Sequence, residues 1–270
     1  MKELKFNIRY LLQRKELYFA IIVIFLINLT HLILCVNENI RLYSSIEQSF
    51  TAEYQFILYN AQISLNVLVI TVFPIALSMI FSDTSWMDRK TKTLNLLYTR
   101  IDYKKNIIVR LCLSIVITFM ISFLGFLFNY LLLRLIYGSG NHITYFQSLS
   151  FYLDSLPEYF LDDLRLSNPT LFVITISCTV SLLLGLLSGL SYLGSFFVRQ
   201  RVIVYFLPLI FLIVTTLLFP AIGMDRISYI SMLQPFSVLS ISNYMIGIVV
   251  LLGILSCLLF AVLRNKDVLI

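Results

Sequence analysis

Six long apolar stretches dominate this chain, and they limit what it can fold into. The stretches are residues 17–36, 61–81, 111–133, 171–194, 202–219 and 244–263. About 20 apolar residues in a helix cross a hydrocarbon core of about 30 Å, because a helix rises about 1.5 Å per residue. In lipid the backbone must satisfy its own hydrogen bonds, so each stretch is expected to be helical. The sequence therefore predicts an all-α membrane protein with six transmembrane helices, forming a single transmembrane domain over residues 1–270.

The basic residues are distributed unevenly between the segments that connect these spans. If the N-terminus lies in the cytoplasm, all but four of the 20 lysines and arginines fall in cytoplasmic segments. The four on the opposite side are Arg41, Arg134, Arg165 and Arg226. Because basic residues collect on the cytoplasmic side of helical membrane proteins, we expect a multi-pass plasma membrane protein with both termini in the cytoplasm. The net charge of +6 then reflects topology and contact with anionic membrane lipids, and no nucleic acid is expected as a partner.

Residues 1–16 form an amphipathic segment before the first span. Leu4, Ile8, Leu11 and Leu12 lie on one helical stripe, and basic residues occupy most of the remaining surface. We expect an interface helix that lies flat in the inner leaflet. It serves either as a dedicated element or as a general basic anchor.

The loop between spans two and three, residues 82–106, combines charges of both signs with apolar side chains. Leu94, Leu97, Tyr98 and Ile101 recur at helical spacing. Exposed apolar side chains surrounded by charge usually mark a protein contact. The pattern favours a cytoplasmic helix that docks on a partner, with a helix on the membrane surface as the alternative.

A short motif lies in this loop before span three. Asp88 is followed after four positions by Thr93 and Leu94, then by apolar residues, a short break and a basic run that includes Lys104. Together with the six spans and the chain length of 270 residues, this pattern resembles the permease subunits of ABC type-two exporters. The chain departs from the family at Asp88, where glutamate is usual, and at Lys92, where glycine is usual.

The resemblance implies a cytoplasmic coupling helix that sits in a groove of a separate ATPase subunit. The residues assigned to this ATPase contact are Asp83, Trp86, Asp88, Arg89, Thr93, Leu94, Leu97 and Arg100. Trp86, Leu94 and Leu97 would be apolar anchors, and the charged residues would form a polar rim that sets the register. Two ATPase copies would bind ATP and Mg²⁺, and a second permease copy, identical or different, would complete the translocation path.

No cofactor or metal is expected in this chain itself. None of its nine glycines belongs to a Gly-x-x-x-x-Gly-Lys-Ser/Thr loop, so ATP hydrolysis is expected in the partner. The chain has no His-Glu-x-x-His motif, and the sequence around Ser188 lacks the first glycine of a rhomboid-type motif. The four cysteines have no paired spacing, which favours apolar filling over metal ligation. The chain is therefore not expected to be an enzyme.

Two features inside the spans have both a structural and a functional interpretation. Small residues recur every four positions in span four, namely Ser177, Ser181, Gly185 and Gly189. Such a face allows close helix packing, either inside one subunit or at a moving interface. Pro74 and Pro208 each remove a backbone donor in mid-helix and predict kinks in spans two and five. The resemblance places these two spans near the substrate path.

The spans contain almost no ionisable residue at depth, which argues against coupling to a proton or sodium gradient. His31 is expected to be packed or interfacial, and Asn28, Asn66 and Asn129 are expected to bond to neighbouring helices. An apolar path suits a peptide or an amphiphilic drug-like cargo, as in antimicrobial peptide export or immunity. The alternatives are export of a polysaccharide or glycolipid, and a non-transporting membrane scaffold or sensor subunit.

Overall fold

The computed structural model describes residues 2–43, 52–53, 55–58, 66–90, 103–137, 161–221, 223, 228–233 and 241–264. Every regular element in these ranges is an α-helix. In chain order the helices are α1 (Lys2–Leu12), α2 (Lys15–Tyr43), α3 (Asn66–Ser78), α4 (Thr84–Lys90), α5 (Tyr103–Tyr137), α6 (Asp162–Ser167), α7 (Pro169–Gly194), α8 (Arg201–Ala221), α9 (Tyr229–Met232) and α10 (Ile241–Arg264). The predicted all-helical class is therefore confirmed for this part of the chain.

Five of these helices, α2, α5, α7, α8 and α10, are long and apolar enough to cross a membrane. Each of them contains one of the predicted spans. The predicted span 61–81 differs, because only 13 of its residues are described as helix, in α3, and residues 61–65 lie outside the described part of the chain. At about 1.5 Å per residue such a helix is shorter than a hydrocarbon core of about 30 Å. The helix ends at Ser78, and residues 79–83 form a turn with buried polar side chains at Ser82 and Asp83.

The N-terminal helix α1 packs against α5. Asn7 and Leu11 face the bundle and are buried, whereas Leu4, Ile8 and Leu12 are exposed. The four residues of the predicted apolar stripe therefore do not share one environment, because Leu11 lies in the core and the other three lie on the outer surface. An exposed apolar stripe beside basic side chains is typical of a helix at a membrane interface. The location of α1 at such an interface stays a prediction.

Helices α5 and α7 pack closely against each other in the middle of the bundle. Ser114 of α5 and Ser188 of α7 share a hydrogen bond of 2.9 Å. A Cβ atom added at Gly185 would meet the backbone oxygen of Ile115 at 2.8 Å, and one at Gly189 would meet the Ile115 side chain at 2.9 Å. This part of the small-residue face thus packs against a helix of the same chain, as expected for packing inside one subunit.

We expect Gly185→Ala to destabilise the protein by about 1–3 kcal/mol, because the backbone of Ile115 must shift to admit the methyl group. Gly253→Ala in α10 is the matched control, since nothing lies within 4 Å of a Cβ atom at that position. Both variants gain similar helix propensity. Unfolding titrations in detergent would compare them, and equal stability would contradict the close approach of α5 and α7.

Pro208 lies inside α8, where it cannot donate a hydrogen bond to the carbonyl oxygen of Val204. The Ser191 hydroxyl of α7 donates to that oxygen instead, at 2.5 Å. Both Ser191 and Val204 are buried, in surroundings where an unpaired carbonyl is costly. Pro74 likewise lies inside α3. Both predicted proline positions are therefore helical, and at Pro208 a neighbouring helix replaces the missing bond.

A double-mutant cycle on Ser191 and Pro208 would test this compensation. Ser191→Ala should cost about 1–3 kcal/mol of unfolding free energy, because it leaves the Val204 carbonyl unpaired. In a Pro208→Ala background the returned backbone N–H supplies a donor, so the cost of Ser191→Ala should fall by at least half. If Ser191→Ala lowers the unfolding free energy equally in both backgrounds, measured in detergent, then Ser191 does not compensate for the hydrogen bond that Pro208 cannot donate.

Candidate functional site

Charged side chains converge at one end of the bundle, where the turn at 79–83 and helix α4 meet several longer helices. The contacts reach the starts of α2, α5 and α8 and the end of α7. Most of these side chains are buried, so their charges interact with one another more strongly than charges in water. We call this set the charged cluster, and its members are Arg14, Glu16, Asp83, Asp88, Arg89, Arg110 and Arg201.

Asp83 occupies the middle of the cluster with a side chain that is 0% exposed. One carboxylate oxygen accepts a hydrogen bond from Arg14 at 2.5 Å. The other accepts from Arg201 Nε and from the Tyr205 hydroxyl, each at 2.8 Å. Glu16 accepts from Arg201 at 2.6 Å. Two carboxylates thus balance two guanidinium groups, and the four charges join α2, the turn and α8.

Arg14 lies between α1 and α2 and is 7% exposed. Burial and ion pairing have opposite effects on the pKa of its guanidinium. Burial lowers the pKa of its guanidinium, but the nearby Asp83 and Glu16 carboxylates more than offset this effect, and the net pKa is raised. Arg14 therefore stays charged. Loss of one partner from such a buried pair typically costs about 3–5 kcal/mol, because the other charge remains buried alone.

Asp88 forms a second buried ion pair, with Arg110 at the start of α5. Arg110 also donates to Asn7 at 2.9 Å, and the amide of Asn7 donates to Asn106 at 2.8 Å. Since Asn7 belongs to α1, this chain of contacts links the N-terminal helix to α4 through α5. Four groups from three helices are therefore fixed by one network.

Helix α4 is attached to the turn between α7 and α8 by three further side chains. Ser85 shares a hydrogen bond with Ser195, and the Trp86 indole N–H donates to the carbonyl of Arg199 at 2.7 Å. Arg89 donates to the carbonyls of Phe196, at 2.9 Å, and Ser195. A cation suits this position, because the last carbonyls of a helix carry partial negative charge.

Of the eight residues assigned to ATPase coupling, four lie in the described part of the chain. Asp83, Asp88 and Arg89 bind groups of this chain, and the two aspartates are buried. The two aspartates hold α4 in place and do not form an exposed rim in this structure, because a buried carboxylate requires an internal partner. Arg89 is partly exposed and donates to backbone carbonyls of the α7–α8 turn. Trp86 is partly exposed, and the Lys90 ammonium lies 5.0 Å from its ring centre. The other four, Thr93, Leu94, Leu97 and Arg100, lie outside the described residues.

Sequence reasoning missed the intramolecular partners of this cluster. Three arginines lie next to the ends of predicted spans on the side predicted to be cytoplasmic, namely Arg14, Arg110 and Arg201. The charge pattern uses them only to orient the chain in the membrane. An acidic residue at the same end of a neighbouring span was the available signal. Asp83, directly after span two, has that position.

A second polar cluster lies between α2 and α5. His31 is buried, and its Nδ1 lies 3.2 Å from the Asn129 amide nitrogen. The Asn28 amide donates to the carbonyl of Gly125 at 3.1 Å. The prediction of a packed histidine is therefore confirmed, and the prediction for the asparagines is confirmed at Asn28 and Asn129. The side chain of Asn66 lies outside the described residues.

The segment after α2 adds an unexpected buried acid to this region. Glu53 is 1% exposed, although its sequence position is outside the predicted spans. The Tyr130 hydroxyl donates to Glu53 at 2.7 Å, and the second carboxylate oxygen has no hydrogen-bond partner among the described residues. The expectation of almost no ionisable residue at depth concerns the predicted spans and does not cover Glu53, which belongs to a connecting segment that is packed into the bundle.

The chain matches no family model, no curated protein and no solved structure. Within the described residues, no group of three or more His, Cys, Asp or Glu side chains could hold a metal ion. The hydrogen bonds and ion pairs of the charged cluster link different helices of the bundle. They join a short helix between α3 and α5 to the ends of four long helices.

We expect Asp83→Ala to lower the unfolding free energy by about 3–5 kcal/mol, because it leaves the buried Arg14 without its main partner. Arg201 is 34% exposed, so water screens its charge. Arg201→Ala should therefore lower the unfolding free energy by about 1 kcal/mol or less. Unfolding of both variants in one detergent would give the ranking. A larger loss for Arg201→Ala would contradict the central position of the Asp83–Arg14 pair.

Proposed function

We propose that this chain is the membrane-spanning permease subunit of an ATP-driven exporter, of the ABC type-two kind that its loop motif resembles. It would cross the plasma membrane six times with both termini in the cytoplasm. Helix α3, with the residues that flank it, would supply the second span. The charged cluster would then lie on the cytoplasmic side, where most basic residues of the sequence fall.

The observation that supports this proposal most is the attachment of α4 to the bundle. This helix lies between α3 and α5 in the chain, and its side chains bind α5 and the α7–α8 turn. Asp83, directly before it, binds Arg14 and Arg201. A displacement of α4 would thus reach four long helices through short contacts. Coupling of this kind needs a contiguous element that shifts as one body.

The remaining parts of the exporter would be separate subunits. Two ATPase copies would bind ATP and Mg²⁺ and push on α4 and the residues that follow it. A second permease copy, identical or different, would form the other side of the path. Pro74 and Pro208 would lie near that path, and the cargo would be a peptide or amphiphilic drug-like molecule, possible roles being antimicrobial peptide export or immunity. A polysaccharide or glycolipid is the alternative cargo.

Affinity purification from the native membrane in mild detergent would test the proposal. Recovery of a stoichiometric ATPase with a phosphate-binding loop would support it, and stimulation of ATP hydrolysis by candidate cargo would follow as an assay. If no ATPase is recovered while other complexes remain intact, the alternative of a non-transporting scaffold or sensor is favoured. A scaffold has no need to respond to an ATPase cycle.

The apolar anchors of the coupling segment give a mutational test. We expect Leu94→Asp combined with Leu97→Asp to abolish ATPase association, because two carboxylates would enter an apolar groove. Membrane insertion should be unchanged. The matched control is Leu94→Met with Leu97→Met, which keeps both side chains apolar and should retain association. If the ATPase still co-purifies with the double aspartate variant, the ATPase contact lies elsewhere in the chain.

A further inference from the structure

The connecting segment 52–58 is packed into the bundle near the end of α5 that is farther from the charged cluster. Its described residues are all buried. The Ile57 N–H donates to the Asn129 side chain at 3.3 Å, and the rings of Phe56 and Tyr130 meet edge to face with their centroids 6.2 Å apart. The segment is therefore held against α5 by backbone and side-chain contacts.

Glu53 brings a negative charge into this packed region. It is 1% exposed, and one of its carboxylate oxygens is fully enclosed without a hydrogen-bond partner among the described residues. The buried Asp83 and Asp88, in contrast, are each paired with an arginine. A buried carboxylate needs a compensating positive charge. A proton on the free oxygen would not satisfy it, because the hydroxyl so formed would still lack a partner. The free oxygen therefore indicates a cationic ligand.

Two hydroxyl groups lie beside this carboxylate. The Tyr130 hydroxyl lies 2.7 Å from Glu53 and 3.2 Å from the hydroxyl of Thr170 at the start of α7. Three oxygen-bearing side chains, one of them charged, thus converge from three parts of the chain. Divalent cations are usually bound through several carboxylates, whereas Na⁺ and K⁺ are bound largely by neutral oxygens. A site with one carboxylate balances a single positive charge, and it needs no group of three His, Cys, Asp or Glu side chains.

We propose that Glu53, Tyr130 and Thr170 bind one alkali metal ion, Na⁺ or K⁺, which fixes the connecting segment to α5 and α7. The unpaired carboxylate oxygen is the charged ligand, and the two hydroxyl oxygens are neutral ligands. The enclosure of the free oxygen favours a small ion over an organic ammonium group, because a carbon chain would need an opening. The inference does not rest on the proposed function, since it involves neither α4 nor an ATPase.

Thermal unfolding of the purified chain in detergent tests the site. Choline chloride is replaced by NaCl or KCl at constant ionic strength. At ion concentrations well above the dissociation constant, the midpoint should rise by about 5 °C, because an ion that binds only the folded state stabilises it. Glu53→Gln, which keeps the shape of the side chain, should abolish this rise. Thr170→Val keeps the carboxylate and should increase the half-maximal ion concentration about tenfold.

Glu16→Gln is the matched control, since it makes the same chemical change at a carboxylate of the charged cluster that is 26% exposed. It should keep the full rise. Retention of radioactive sodium by the purified chain, at a single ion per chain, would support the proposal independently. If Glu53→Gln fails to fold, the half-maximal ion concentration of Thr170→Val decides, and a value equal to that of the unaltered chain would overturn the site.

Three further results would overturn the inference. If neither Na⁺ nor K⁺ changes the midpoint of the unaltered chain, no alkali ion is bound, and an equal or higher stability of Glu53→Gln would then indicate a neutral acid. If methylammonium chloride raises the midpoint and the alkali salts do not, the ligand is an organic ammonium group. If Glu53→Gln keeps the full rise, the ion binds elsewhere in the chain.

Discussion

The burial of the Asp83 carboxylate between Arg14 and Arg201 is the constraint on which the arrangement of this end of the protein depends. A carboxylate that is 0% exposed is tolerated only when its charge is paired and its oxygens accept hydrogen bonds. The partners come from the junction of α1 with α2 and from the start of α8. Three separate parts of the chain must therefore meet at one point, and α4 begins directly beside it.

The proposed coupling would need one part of α8 that is firmly held and another part where the helix can bend. Arg201 at its start is fixed by two carboxylates. About two turns later Pro208 interrupts the backbone hydrogen bonds, and the Val204 carbonyl depends on Ser191 of another helix. A side-chain hydrogen bond from α7 thus stands where α8 lacks one bond of its backbone ladder. A force that enters at Arg201 would therefore be converted into a bend near Pro208.

Much of the architecture could be predicted from the sequence, because apolar length and helical spacing are local properties. Five of the predicted spans correspond to helices of sufficient length, and Gly185 and Gly189 pack against another helix as their spacing predicts. The ion pairs could not be predicted in this way, since Asp83 and Arg201 are 118 residues apart. The burial of Glu53 was missed for the same reason, because it depends on how a connecting segment folds back.

The assignment of Asp83 and Asp88 to an exposed rim shows what a charge pattern alone cannot decide. A carboxylate in a connecting loop can face a partner or its own chain, and the sequence pattern is the same in both cases. Here the chain's own arginines use both carboxylates, so α4 is ordered before any partner arrives. A pre-formed surface loses less conformational entropy on binding. In the proposed complex the buried acids would therefore position α4, and the binding energy would come from side chains on its outer side and in the residues that follow it.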